Sequence, residues 1–176
     1  MSTKFNFLQL DTRTRELMTE EINLAAQTNN LYYSSRFNDA GKAAWPGFLN
    51  TAAAQYNEHW LAYQLEIAGA MKDFESKEKP KGGYTIAHVP HTAAETFADG
   101  QFNRIYVSAI CRRAIEEGKN EVVVYRAKTR GDSRPESNAL EGNKKDASSL
   151  LKMVQDTKSS FNCDVLKPNS GLSVKY

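Results

Sequence analysis

Glu121-Val122-Val123-Val124-Tyr125-Arg126-Ala127 is the stretch that decides the fold class. Three consecutive valines and a tyrosine form the strong strand signal in a chain otherwise dominated by helical spacing. Gly118 stands just before it as a natural helix C-cap, and a basic, turn-rich stretch from Arg126 to Lys145 follows. A strand delivered directly from a helix predicts an α+β fold. The expected architecture is predominantly helical, with a small two- or three-stranded sheet containing residues 121–127.

Upstream of the strand, Phe102, Ile105, Tyr106, Ala109, Ile110 and Ala114 recur at helical spacing and predict a helix over about 99–118. Thr92, with Glu95 three residues on, has the form of a capping box opening a separate short helix, and Tyr84 to Val89 reads as a short strand. The longest periodic run is Phe48 to Lys72. There Phe48, Ala52, Tyr56, Trp60, Tyr63, Ile67 and Met71 mark one continuous stripe without a proline. This run is expected to be the long central helix. Trp45-Pro46-Gly47 is expected to break the chain just before it.

Residues 12–29 predict another helix, preceded by an extended arm, residues 1–10, around Phe5, Phe7 and Leu10. Downstream of the strand, 146–156 predicts a helix. The tail Leu172-Ser173-Val174-Lys175-Tyr176 alternates and is expected to add an edge strand to this domain or to a partner. Residues 73–83 are charged and end in Pro80-Lys81-Gly82-Gly83, which predicts an exposed linker or lid, a flexible excursion from the core. The whole of 1–176 is expected to be one globular domain with extended N- and C-terminal segments.

Composition narrows function by exclusion. The chain is 40% hydrophobic and 25% charged, enough for a real core. A formal net charge of +2 is too small to mark a nucleic-acid binder by itself. The asymmetry is mild: residues 89–176 hold fourteen Lys/Arg against eleven Asp/Glu, and residues 1–88 nine against ten. Two cysteines, Cys111 and Cys163, are too few for a disulfide framework. Cys111 falls within an apolar-patterned helix and reads as a buried small side chain. No signal peptide and no membrane span is expected, so the location read from sequence is cytoplasmic, or an intracellular particle or virion.

No residue constellation defines a catalytic site. His88 and His91 flank a proline, but His59 is the only other histidine, so no metal and no cofactor is expected. Ser108 and Cys111 lie inside a helix with no histidine near in sequence, a poor setting for a nucleophile. The basic residues form the one suggestive group. Arg104, Arg112 and Arg113 come from one helix, and Arg126, Lys128, Arg130 and Arg134 from the strand exit and its loop. Packed together, they would contact a phosphate or a nucleic-acid backbone, though the local excess over 112–134 is only three positive charges (seven against four), which implies weak, salt-sensitive binding.

Absence of catalytic signatures shifts the leading expectation to a structural, non-enzymatic protein that self-associates into homo-oligomers, with a virion component as one such role. Its contact residues are expected to be Phe5, Phe7, Trp45, Leu172, Val174 and Tyr176, on the two extended ends and an aromatic break in the chain. The alternatives are the phosphate- or nucleic-acid-binding domain just described, and an enzyme that holds an anionic substrate on the same basic residues, with Glu95 or Glu117 as a base.

Overall fold

Asn57 ends the expected central helix. In the computed structural model, which describes residues 4–129, 131 and 133–176, helices α2 (Asp39–Gln55) and α3 (Glu58–Ile67) replace the single helix expected over 48–72. The Asn57 side chain accepts the Trp60 N–H, capping a new helix, and Tyr56 turns out of helical geometry to stack on Trp60 at 4.5 Å. An apolar stripe continues across such a break, because two short helices folded onto one core need apolar faces just as one long helix does.

The second correction lies at Trp45-Pro46-Gly47, which sits inside α2 rather than before a helix. Proline removes a helical N–H at a cost of ~3 kcal/mol. Burial of Trp45, Leu49, Ala52 and Ala53 outweighs it. Asn38 caps this helix by accepting the Gly41 N–H at 2.8 Å. Gly41 lies so close to the loop after α3 that a Cβ would stand 2.2 Å from the Ala70 carbonyl oxygen.

The long central helix is α4 (Ala93–Glu116), 24 residues. It joins the short segment expected after Thr92 to the helix expected from 99, and Thr92 occupies the N-cap position without a side-chain cap bond. α4 packs against α1 (Thr12–Gln27), α3 and α6 (Ala147–Gln155), and along the sheet. That explains why residues 102–111, which cover every side of the helix, are all buried.

Two small antiparallel sheets complete the α+β fold. In one, β3 (Glu121–Arg126) lies between β4 (Lys144–Asp146) and β5 (Leu172–Lys175), with Val124 opposite Val174. The C-terminal alternation thus pairs within its own domain. In the other, β1 (Phe74–Glu78) and β2 (Tyr84–His88) form a hairpin, so 73–83, expected as a linker, supplies a strand and a turn. Helices α5 (Pro135–Leu140) and α7 (Thr157–Ser160) are short connectors. One buried cluster runs from Leu17 to Val174 and joins the helices to the three-stranded sheet.

The N-terminal arm lies on this core. Phe7 packs on Tyr106 and Phe102 at 4.5 and 5.3 Å, and the Asn6 N–H donates to the Ala127 carbonyl at 2.7 Å. Gln9 then joins the two ends of the chain, its Oε1 accepting the Tyr176 N–H.

Candidate functional site: an open hairpin and an aromatic cleft

The β1–β2 hairpin carries a row of uncovered apolar side chains. Opposed pairs Phe74–His88, Ser76–Ile86 and Glu78–Tyr84 put six side chains on one face of the ribbon. Tyr84 and Ile86 are 72% and 78% exposed, and Phe74 is half exposed against the His88 ring at 4.4 Å. A two-stranded ribbon with an exposed apolar face is marginal in water by itself.

Its hydrogen-bond phase decides which residues point outward at each edge. Val89 N–H donates to Asp73 O, and Lys79 N–H to Gly83 O, so hydrogen-bonded pairs alternate from 73–89 through 75–87 and 77–85 to 79–83. Tyr84, Ile86 and His88 fall between them, and their N–H and C=O groups point away from β1. Among the described residues the sheet holds these two strands, which leaves that edge unpaired there.

At the hairpin base, Glu75 accepts two hydrogen bonds from Arg36, at 2.7 and 2.9 Å. Arg113 and Arg36 both hold nearby carboxyls below their ordinary range: Asp11 through its bond to Arg113, Glu75 through its bond to Arg36. The Arg36–Glu75 pair stands on the lip of a cleft of about 370 Å³. Tyr32, Phe97 and Phe161 wall it, Tyr32 lying 5.9 Å from Phe97 and 5.1 Å, edge-on, from Phe161. The first turns of α4 supply Thr96, Gly100 and Gln101, and Arg104 lies one turn deeper.

The sequence-derived basic residues sit among different sets of acceptors. Arg104 donates to the carbonyls of Val154 and Gln155 at the end of α6, and burial pushes its pKa down. Arg112 pairs with Glu20 and Glu21 on α1, and Arg113 with Asp11 and Glu117. Arg126 holds Glu141, the Ser170 carbonyl and Asn138. Lys128, 3% exposed, lies 2.6 Å from Asp99 and 3.4 Å from Glu95. Arg134 is the N-cap residue of α5, and Arg130 lies outside the described residues.

The expected contact residues are placed as follows. Trp45, Leu172 and Val174 are fully buried, with the Trp45 indole N–H donating to the Tyr32 carbonyl. Phe5 stacks on Phe7 at 5.0 Å and lies 5.6 Å from the Lys128 ammonium. Tyr176 donates its hydroxyl to Glu117 and lies under the Arg113 guanidinium. These side chains are engaged within the chain itself.

The remaining chemistry-bearing groups fit structural roles. Ser108 Oγ donates to the Arg104 carbonyl. Both cysteines are free and buried, and burial pushes the Cys111 thiol up to about 12. Among the described residues, no group of three or more His, Cys, Asp or Glu side chains converges to hold a metal ion. No helix there is long and apolar enough to cross a membrane. Compared with known proteins, the chain matches no family model, no curated protein and no solved structure.

Sequence reading expected β2, as a short strand over Tyr84 to Val89, but neither its partner strand nor the cleft. The hairpin signal was present as alternation of Phe74, Ser76 and Glu78 and of Tyr84, Ile86 and His88 around Lys79-Pro80-Lys81-Gly82-Gly83, but the charges interleaved in β1 gave it the look of a linker. The cleft is assembled from three separated segments, and no local pattern marks it.

Proposed function

We propose that the chain is a structural, non-enzymatic protein that self-associates by pairing β2 with β2 of a second copy. The observation that carries this reading is the open edge at Tyr84, Ile86 and His88. Antiparallel pairing about Ile86 sets Ile86 opposite itself, Thr85 opposite Ala87, and Tyr84 opposite His88. Residues 84–87 carry no charge, so a two-fold axis brings no like charges together. β1, by contrast, carries Glu75, Lys77 and Glu78, the kind of charged edge that discourages pairing. The product is a four-stranded sheet in the order β1-β2-β2-β1, which removes the marginal two-stranded state. The proposed setting is an intracellular particle, a virion included.

The contact moves from the two chain ends to the hairpin, because the ends are occupied on their own core. Light scattering coupled to size exclusion tests it. The wild type is expected at twice 19.7 kDa in low and high salt alike, and Ile86→Lys as a monomer with an unchanged circular dichroism spectrum. A wild type that stays monomeric at high concentration overturns the proposal.

A further inference from the structure

We infer that the cleft between Tyr32 and α4 binds a planar heteroaromatic ligand carrying an anionic group, the anion held by Arg104 and the ring by Tyr32 and Phe161. This site is distinct from the β2 edge and does not depend on self-association.

Arg104 is the first reason. It is 5% exposed, and a buried cation is costly unless paired. Yet no carboxylate among the described residues lies within ion-pairing distance of it; Glu21 and Asp156 act on it only from farther away. Its Nε and Nη2 donate to Val154 and Gln155, whose carbonyls close the C-terminal end of α6, where a cation is favoured. Its Nη1 donates no hydrogen bond among the described residues, and Arg104 is one of the residues lining the cleft, as it is of a second, smaller pocket with Glu21, Val154 and Gln155. A neutral ligand would leave that donor unused.

The walls are the second reason. Phe161 is 61% exposed on the cleft lip and meets Tyr32 edge-on, so its ring offers apolar surface beside Tyr32 to a planar guest. At about 370 Å³ the volume falls within the range of small-molecule sites. Thr96, Gln101 and Ser35 add side-chain donors and acceptors around the rim. A flat ring with an anion on a short tether fits this combination. Nucleotides have that chemistry, whether free or at the end of a strand.

Calorimetric titration of the full chain with the four nucleoside 5′-monophosphates, and with a 5′-phosphorylated tetranucleotide, tests the site. Saturable binding of at least one monophosphate is expected, with the matching unphosphorylated nucleoside at least about tenfold weaker. Arg104→Lys, which exchanges a planar fork for a point charge, is expected to weaken binding about tenfold. Because Arg104 also holds α6, Phe161→Ala serves as the second variant: its ring is largely exposed, the fold is expected to survive, and binding is expected to fall severalfold. Binding of the tetranucleotide alone, weakened by Phe161→Ala, upholds the site and assigns its ligand to a strand end. Absence of binding by the monophosphates and the tetranucleotide alike overturns the inference, as does binding untouched by both substitutions.

Discussion

Lys128 is a buried counter-charge, its ammonium 2.6 Å from Asp99. Asp99 is nearly as buried as the lysine it pairs with, so removing the ammonium takes a close counter-charge from a carboxylate in a low-dielectric site. Lys128→Met is expected to lower unfolding free energy by about 3–5 kcal/mol in urea titration; a loss below about 1 kcal/mol would show that the pair is not holding the core. Glu58 lies in the same region, and burial pushes its pKa up, aided by the charge on Asp99. A carboxyl whose folded pKa exceeds its unfolded pKa makes the folded state the better proton binder. Its contribution to stability therefore falls as pH rises above the ordinary glutamate value. Glu58→Gln keeps an acceptor for the Phe5 N–H and removes the charge. It is expected to exceed wild-type stability at pH 8, with the difference closing toward pH 4; equal stability at both would refute the assignment. Single-residue burial was legible at Cys111, which sits in an apolar helical pattern. Ion-pair partners were not: Arg112 meets Glu21 across 91 positions of chain, and no local pattern encodes that meeting.

At the scale of elements, β5 is set against β3 by a close backbone approach at Gly171. Ala127 and Lys128 both donate their N–H groups to its carbonyl, at 2.8 and 2.9 Å. Its φ is +68°, and a Cβ there would lie 2.1 Å from the Lys128 carbonyl oxygen. Gly171→Ala is expected to cost more than about 2 kcal/mol in thermal or urea unfolding. Gly47→Ala on α2, where a Cβ meets nothing within 4 Å, is the control and is expected to be neutral or slightly stabilising. Similar effects at both positions would mean the approach at Gly171 is not tight. Elements with one dominant signal were legible: α1, β3, α6 and the tail strand all fall close to their expected places. Boundaries decided by competition were not. The Asn57 cap divides a run that periodicity alone joins, and core burial carries α2 through Pro46.

For the whole molecule, the α+β class followed from one valine-rich strand among helical patterns, and the structure has that class with α4 at its centre. The long helix was expected in the wrong place because periodicity measures amphipathicity. A helix buried on several sides, as α4 is, has a weaker stripe than two half-buried ones. Neither the open strand edge nor the cleft was legible, since each depends on what the fold leaves unpaired. The proposal of self-association rests on that unpaired edge and on a register that places Ile86 opposite itself. The most direct test is mild oxidation of Ile86→Cys, read on a non-reducing gel, with Thr85→Cys beside it. Paired residues in an antiparallel ladder lie about 4.5–5.5 Å apart at Cα, within disulfide reach, and the two native cysteines are buried. Rapid conversion of Ile86→Cys to a covalent dimer, with Thr85→Cys markedly slower, is the expected result; Ile86→Cys remaining monomeric, or both variants crosslinking alike, would contradict the β2 pairing.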